Sequence, residues 1–145
     1  MKLPEYITKE EVKRVCEELG ISDWSAKQEL TVDAEEAGIV LKAMDIKDMD
    51  IPLEVFCVGL EIELEHGTMY EDANVTNNHP ILTGKIVLAH LHETMDYYAR
   101  LDVAEIEGDM LKAAAAGNAE KLLAKYRKLI PAKLELASDE AEELG

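Results

Sequence analysis

The chain has 145 residues, enough for one domain whose core needs no disulfide or metal as a staple. A formal net charge of −16 argues against nucleic-acid binding, which draws affinity from Lys and Arg on phosphates, and against an anionic membrane surface for the same reason. Residues are 48% apolar but only 5% aromatic, a composition that favours Leu, Ile, Val, Ala and Met in helices packed on helices.

The opening stretch MKLPEYITKEE holds no apolar run long enough for a signal peptide, and no later stretch is long enough to span a membrane. Cys16 and Cys57 lie far apart and outside any C-x-x-C pattern, so they read as small core residues in a reducing compartment. A cytoplasmic protein is the expectation.

Thr8-Lys9-Glu10-Glu11 fits a capping box, with Val12, Val15, Cys16 and Leu19 forming one stripe and Gly20 ending the first helix. Trp24 follows in a loop-like setting, where the indole is expected to plug the gap between helix ends. Thr31 is placed to cap a second helix running through Met44. The acidic run Asp45 to Asp50 lacks the central glycine and the closing glutamate of a calcium loop, so Asp50 is read instead as the cap of a third helix, with Pro52 in its first turn.

That third helix is expected over about 51 to 66, with Gly67 as its stop. At roughly 100° per residue, Glu54, Glu61 and Glu65 share a polar arc, and Glu63 falls inside the apolar one with His66 one turn further on. A carboxylate there must be paired, protonated or metal-bound, because an isolated buried charge is costly. The loop from Thr68 to His79 is rich in Asn, Thr and Asp, which bond to nearby backbone, and it reads as ordered. Asn74-Val75-Thr76 matches a glycosylation sequon formally but is read as part of that loop chemistry.

Asn78 or His79 would cap a fourth helix with Pro80 at its first position. Continuing the same helical projection to Leu101 puts Lys85, His92, Asp96 and Arg100 outward, and Leu82, Ile86, His90, Glu93, Tyr97 and Leu101 inward. His79 and His92 are expected at the surface. Beyond Gly108 the helical pattern breaks near Gly117, where Asn118 can start a new turn, and Pro131 is expected to close it. The expected organisation is a helical domain over 1–131 and an acidic C-terminal tail over 132–145.

Glu63 with His66, and His90 with Glu93, are each three residues apart and so share a helix face. Carboxylate and imidazole together suit iron, manganese or zinc, and a Glu-x-x-His step is a recurring element of di-metal helical bundles. Those four are the expected ligands, with Tyr97 behind them, and a homodimer is one way to complete the site. The chain offers one Glu-x-x-His step and one reversed His-x-x-Glu, so the alternative expectation is a structural or protein-interaction module in which the same residues form a buried hydrogen-bond network. Acid and base work by Glu63 and Glu93 is a third reading, with no substrate indicated.

Glu63-Leu64-Glu65-His66-Gly67, Asn74-Val75-Thr76-Asn77, Thr83-Gly84-Lys85-Ile86, Ala89-His90-Leu91 with Glu93, and Asp96-Tyr97-Tyr98 with Arg100-Leu101 resemble the strings of an uncharacterised family of small microbial proteins, a domain of unknown function. The resemblance is close over about 60 to 101, weaker over the N-terminal helices, and does not reach the tail. It implies a shared fold and a shared central site at Glu63, His66, His90, Glu93, Asp96, Tyr97 and Tyr98, and it implies no reaction. This chain departs from the family pattern at Asn78-His79, at His92 and at Thr94-Met95. The fold expected is a single-domain all-α bundle of five or six helices, with a long ordered polar loop before the central helix.

Overall fold

Local signals account for the first turns of the chain. In the computed structural model, which describes residues 4–145, Thr8 Oγ1 accepts from Glu11 N at 3.2 Å and opens α1, Lys9–Leu19. Residues 1–3, the start of the stretch in which no signal peptide is expected, lie outside the described residues. Gly20, at φ 72°, ends α1 in the left-handed conformation that glycine adopts without a Cβ penalty. Trp24 is fully buried, and its Nε1 donates to Glu36 Oε2 at 3.0 Å, so the indole does fill the corner between α1 and α2, Ala34–Ala43. The cap of α2 is Asp33, whose side chain accepts from Glu35 N, rather than Thr31.

The third helix, α3, covers Leu53–Glu63 and tightens into a 3-10 turn over Leu64–His66. Pro52 precedes it without a side-chain cap, so Asp50 does not play the role expected of it. The fourth helix, α4, covers Pro80–Glu93, and its buried residues are Pro80, Thr83, Gly84, Val87 and Leu91. The inward arc expected through Leu82, Ile86, His90 and Glu93 is therefore misplaced: Leu82, Ile86 and His90 are half-buried and Glu93 is exposed. The cause is that the apolar residues of this helix are spread round it rather than gathered on one stripe, which lets several faces pass as the core side. Gly84 marks the face that is buried. A Cβ there would come 2.6 Å from Met44 Sδ, 3.2 Å from Phe56 Cζ and 3.4 Å from Val40 Cγ1, so the missing side chain is what leaves room for these three residues against α4.

The chain groups into two compact units, Met1–His92 and Glu93–Gly145. A non-helical step at residues 94–96 separates α4 from α5, Tyr97–Ala115, where one continuous helix was expected. Thr94 and Asp96 are poor helix formers that bond locally, and here the Thr94 hydroxyl donates to Asp96 Oδ1. Asn118 then caps α6, accepting from Lys121 N at 2.9 Å as its position foretold.

The helix α6 runs Ala119–Leu144 through Pro131, where a close was expected, so residues 132–144 continue it as its second half. Pro131 removes one backbone bond but is exposed, so the freed carbonyl can turn to water. The helix continues because Leu129, Ala132 and Leu136 pack with Val103, Ile106 and Met110 of α5. Ion pairs line that hairpin, with Lys125 Nζ 2.5 Å from Asp109 Oδ2 and Arg100 Nη1 2.8 Å from Glu140 Oε1. Among the described residues every regular element is helical, so the all-α expectation holds, with six α-helices.

Candidate functional site

Glu63 ends α3 with 2% of its surface exposed, as its place in the apolar arc requires. His66 sits three residues on, in the 3-10 turn, and its Nδ1 stands 3.1 Å from Glu63 Oε2. His90, from the last turns of α4, puts Nε2 3.3 Å from Glu63 Oε1. One buried carboxylate thus meets two imidazoles, one local in sequence and one brought from another helix. The three differ in access: the side chains of His66 and His90 are 57% and 28% exposed.

The loop after Gly67 reverses the chain and sets α4 against α3. Asn77 and Asn78 both take positive φ, 47° and 62°, a conformation asparagine tolerates better than most residues. Asn78 Oδ1 accepts from Thr68 N at 3.0 Å while its Nδ2 donates to Trp24 O at 3.1 Å and to Thr68 Oγ1 at 3.0 Å. Asn77 Nδ2 donates to Ile7 O and Glu5 Oε1, both at 2.6 Å, and Asn74 Oδ1 accepts from Asn77 N at 2.9 Å. The loop is ordered, as expected, and the sequon asparagine is occupied inside it. The Asn77-Asn78 pair and the preceding Gly67 were its legible signals.

His79 is buried, against the expectation of a surface residue. Its Nδ1 accepts from Leu82 N at 3.3 Å, which makes it the polar cap at the start of α4. Burial holds its pKa below the ordinary imidazole value, opposed by the charge of Glu11, with Arg14 acting in the lowering direction. Because the folded pKa is depressed, the contribution of His79 is complete above the unfolded value of about 6.5 and is lost as pH falls below it. The urea midpoint of the parent should therefore drop more than that of His79→Asn between about pH 7 and about pH 5. Parallel pH dependences would show that His79 titrates alike in folded and unfolded chains.

The remaining expected residues belong to the second unit. Asp96 is buried, not outward, and takes a fork of bonds from Arg100, Nε to Oδ1 at 2.9 Å and Nη2 to Oδ2 at 2.6 Å. Burial pushes its pKa up, but the bonds from Arg100 and Thr94 outweigh it and hold the carboxyl below its usual range. Tyr97 and Tyr98 meet edge to face with ring centroids 5.2 Å apart. Glu93 and His92 are exposed. Among the described residues no group of three or more His, Cys, Asp or Glu side chains is placed to hold a metal ion.

A cavity of about 380 Å³ opens elsewhere in the first unit, lined by Lys9, Ser25, Lys27, Thr68 and Asn78 among others. No sequence pattern announces it, because its walls come from separate segments. Lys27 is already engaged there, with Nζ donating to Thr31 O at 2.8 Å and lying 5.7 Å from the centre of the Trp24 ring. No helix among the described residues is long and apolar enough to cross a membrane.

No curated protein and no solved structure matches the chain. A family described as a protein of unknown function (DUF5661) matches residues 12–107, from α1 into α5, and so takes in Glu63, His66, His90 and the asparagine loop while stopping short of α6. That match covers well over half of the chain, and the protein belongs to this family of unknown function, DUF5661.

Proposed function

We propose that the chain is a non-enzymatic structural or protein-interaction module in which Glu63 ties the end of α3 to the last turns of α4 and so fixes the register of the helices around it. One observation carries the reading: the two oxygens of a single buried carboxylate each stand within ion-pair distance of a different imidazole, at 3.1 Å and 3.3 Å. Imidazoles at these distances offset part of the desolvation of a buried carboxylate, and a buried polar group held between two elements favours one packing over its alternatives.

The residue types also suit iron, manganese or zinc, so metal content is the measurement that separates the two readings. Untagged protein, supplemented with each of the three metals in turn, is expected to carry sub-stoichiometric metal, and Glu63→Ala and His90→Ala to leave that content unchanged. Equimolar metal in the parent, lost in both variants, would overturn the structural reading and make Glu63, His66 and His90 ligands.

A further inference from the structure

The helix α6 carries a second apolar seam besides the one that packs on α5. We propose that this seam pairs α6 with α6 of a second copy of the chain, in antiparallel orientation. The inference is independent of the role given to Glu63.

At 3.6 residues per turn, Leu129, Ala132 and Leu136 share the face turned to α5. About a third of a turn round the helix, Leu123, Tyr126, Ile130 and Leu134 form a line in steps of three and four, continued by Ala137 and Ala141. All six are exposed, the four large ones by 45% to 67%. Single exposed leucines are ordinary, but an unbroken seam at helical spacing along a 26-residue helix is a surface for another helix.

Two features select the occupant and its direction. The large residues fill the first half of the seam and the alanines the second. An antiparallel copy sets Tyr126 across from Ala137 and Leu123 across from Ala141, with Ile130 and Leu134 at the centre, so that large meets small. A parallel copy stacks large on large and leaves the alanines facing a gap.

Charge is divided the same way. The first half carries Lys121, Lys125, Arg127, Lys128 and Lys133 against the single acid Glu120, whereas residues 134–144 carry Glu135, Asp139, Glu140, Glu142 and Glu143 and no Lys or Arg. Some of these pair within the hairpin, Lys125 with Asp109, Lys133 with Glu107 and Glu140 with Arg100. Lys121, Arg127, Lys128, Glu135 and Asp139 make no ion pair among the described residues, and an antiparallel copy brings the basic half of one helix alongside the acidic half of the other. The helix α6 lies beyond the residues that the family match covers.

Sedimentation of the full chain over micromolar concentrations is expected to give twice the mass of 16.1 kDa, with the dimer weakened by added salt. Ile130→Glu and Tyr126→Glu should each weaken association at least about tenfold while keeping the helical content of the parent. In a Cys57→Ser background, with Cys16 buried, Leu123→Cys mixed with Ala141→Cys should form a disulfide that Leu123→Cys alone does not. A single-chain mass throughout would overturn the proposal, as would a dimer untouched by Ile130→Glu. A Leu123→Cys disulfide with itself would show parallel pairing and overturn the direction.

Discussion

Gly67→Ala is expected to destabilise the first unit by about 3 kcal/mol or more, the sum of overpacking and of bonds that the clash would break. A Cβ at Gly67 would overlap Asn78 Oδ1, and would lie 2.9 Å from Asn78 Cγ and 3.0 Å from its backbone nitrogen. The side chain cannot swing aside freely. It is 3% exposed and holds Thr68 N, Thr68 Oγ1 and the Trp24 carbonyl at once, so displacement leaves buried polar groups unpaired. In a unit of this size the loss corresponds to a fall in melting temperature of roughly 15 °C. Asn78→Ala removes the bonds without the clash, and adding Gly67→Ala to it should cost less than Gly67→Ala alone. A melting temperature within a degree or so of the parent for Gly67→Ala would show that the loop is not locked at this point.

Glu63→Ala is expected to cost about 2 to 4 kcal/mol, less than the loss of a fully buried ion pair, because its two partners keep access to water. His66 is 57% exposed, so His66→Ala should cost less than about 1 kcal/mol. His90 is 28% exposed and joins a different helix, which places His90→Ala between the two. Glu63→Gln keeps the volume and one acceptor, and should fall well short of the alanine variant. Urea midpoints at constant slope give all four values. If Glu63→Ala proved no more harmful than His66→Ala, the carboxylate would not be the centre of the arrangement.

Both variants probe a region that is only partly legible in the amino-acid order. The burial of Glu63 follows from its place among Phe56, Gly59 and Leu60 on one helix, and the structure confirms it. The partnership with His66 follows from a spacing of three. The partnership with His90 is a meeting of two helices, and the burial of His79 depends on what packs around the start of α4; neither has a local signature. An unbroken helix would put Asp96 outward, and the turn at residues 94–96 resets the angle of everything after it.

What the sequence determined by itself are the all-α class and the features settled within about one helical turn: the caps at Thr8 and Asn118 and the stop at Gly20. At both caps the side chain accepts from a backbone N–H three positions further on, so order along the chain is order in space. Only the tertiary structure decided which side of α4 faces inward, since its apolar residues are spread over several faces and Gly84 shows its close approach only where it meets Met44, Phe56 and Val40. It also decided that α6 passes through Pro131, because packing on α5 outweighs the loss of a single backbone bond. The pairing of Glu63 with His90 belongs to the same class, being the product of a loop that folds one helix back on another.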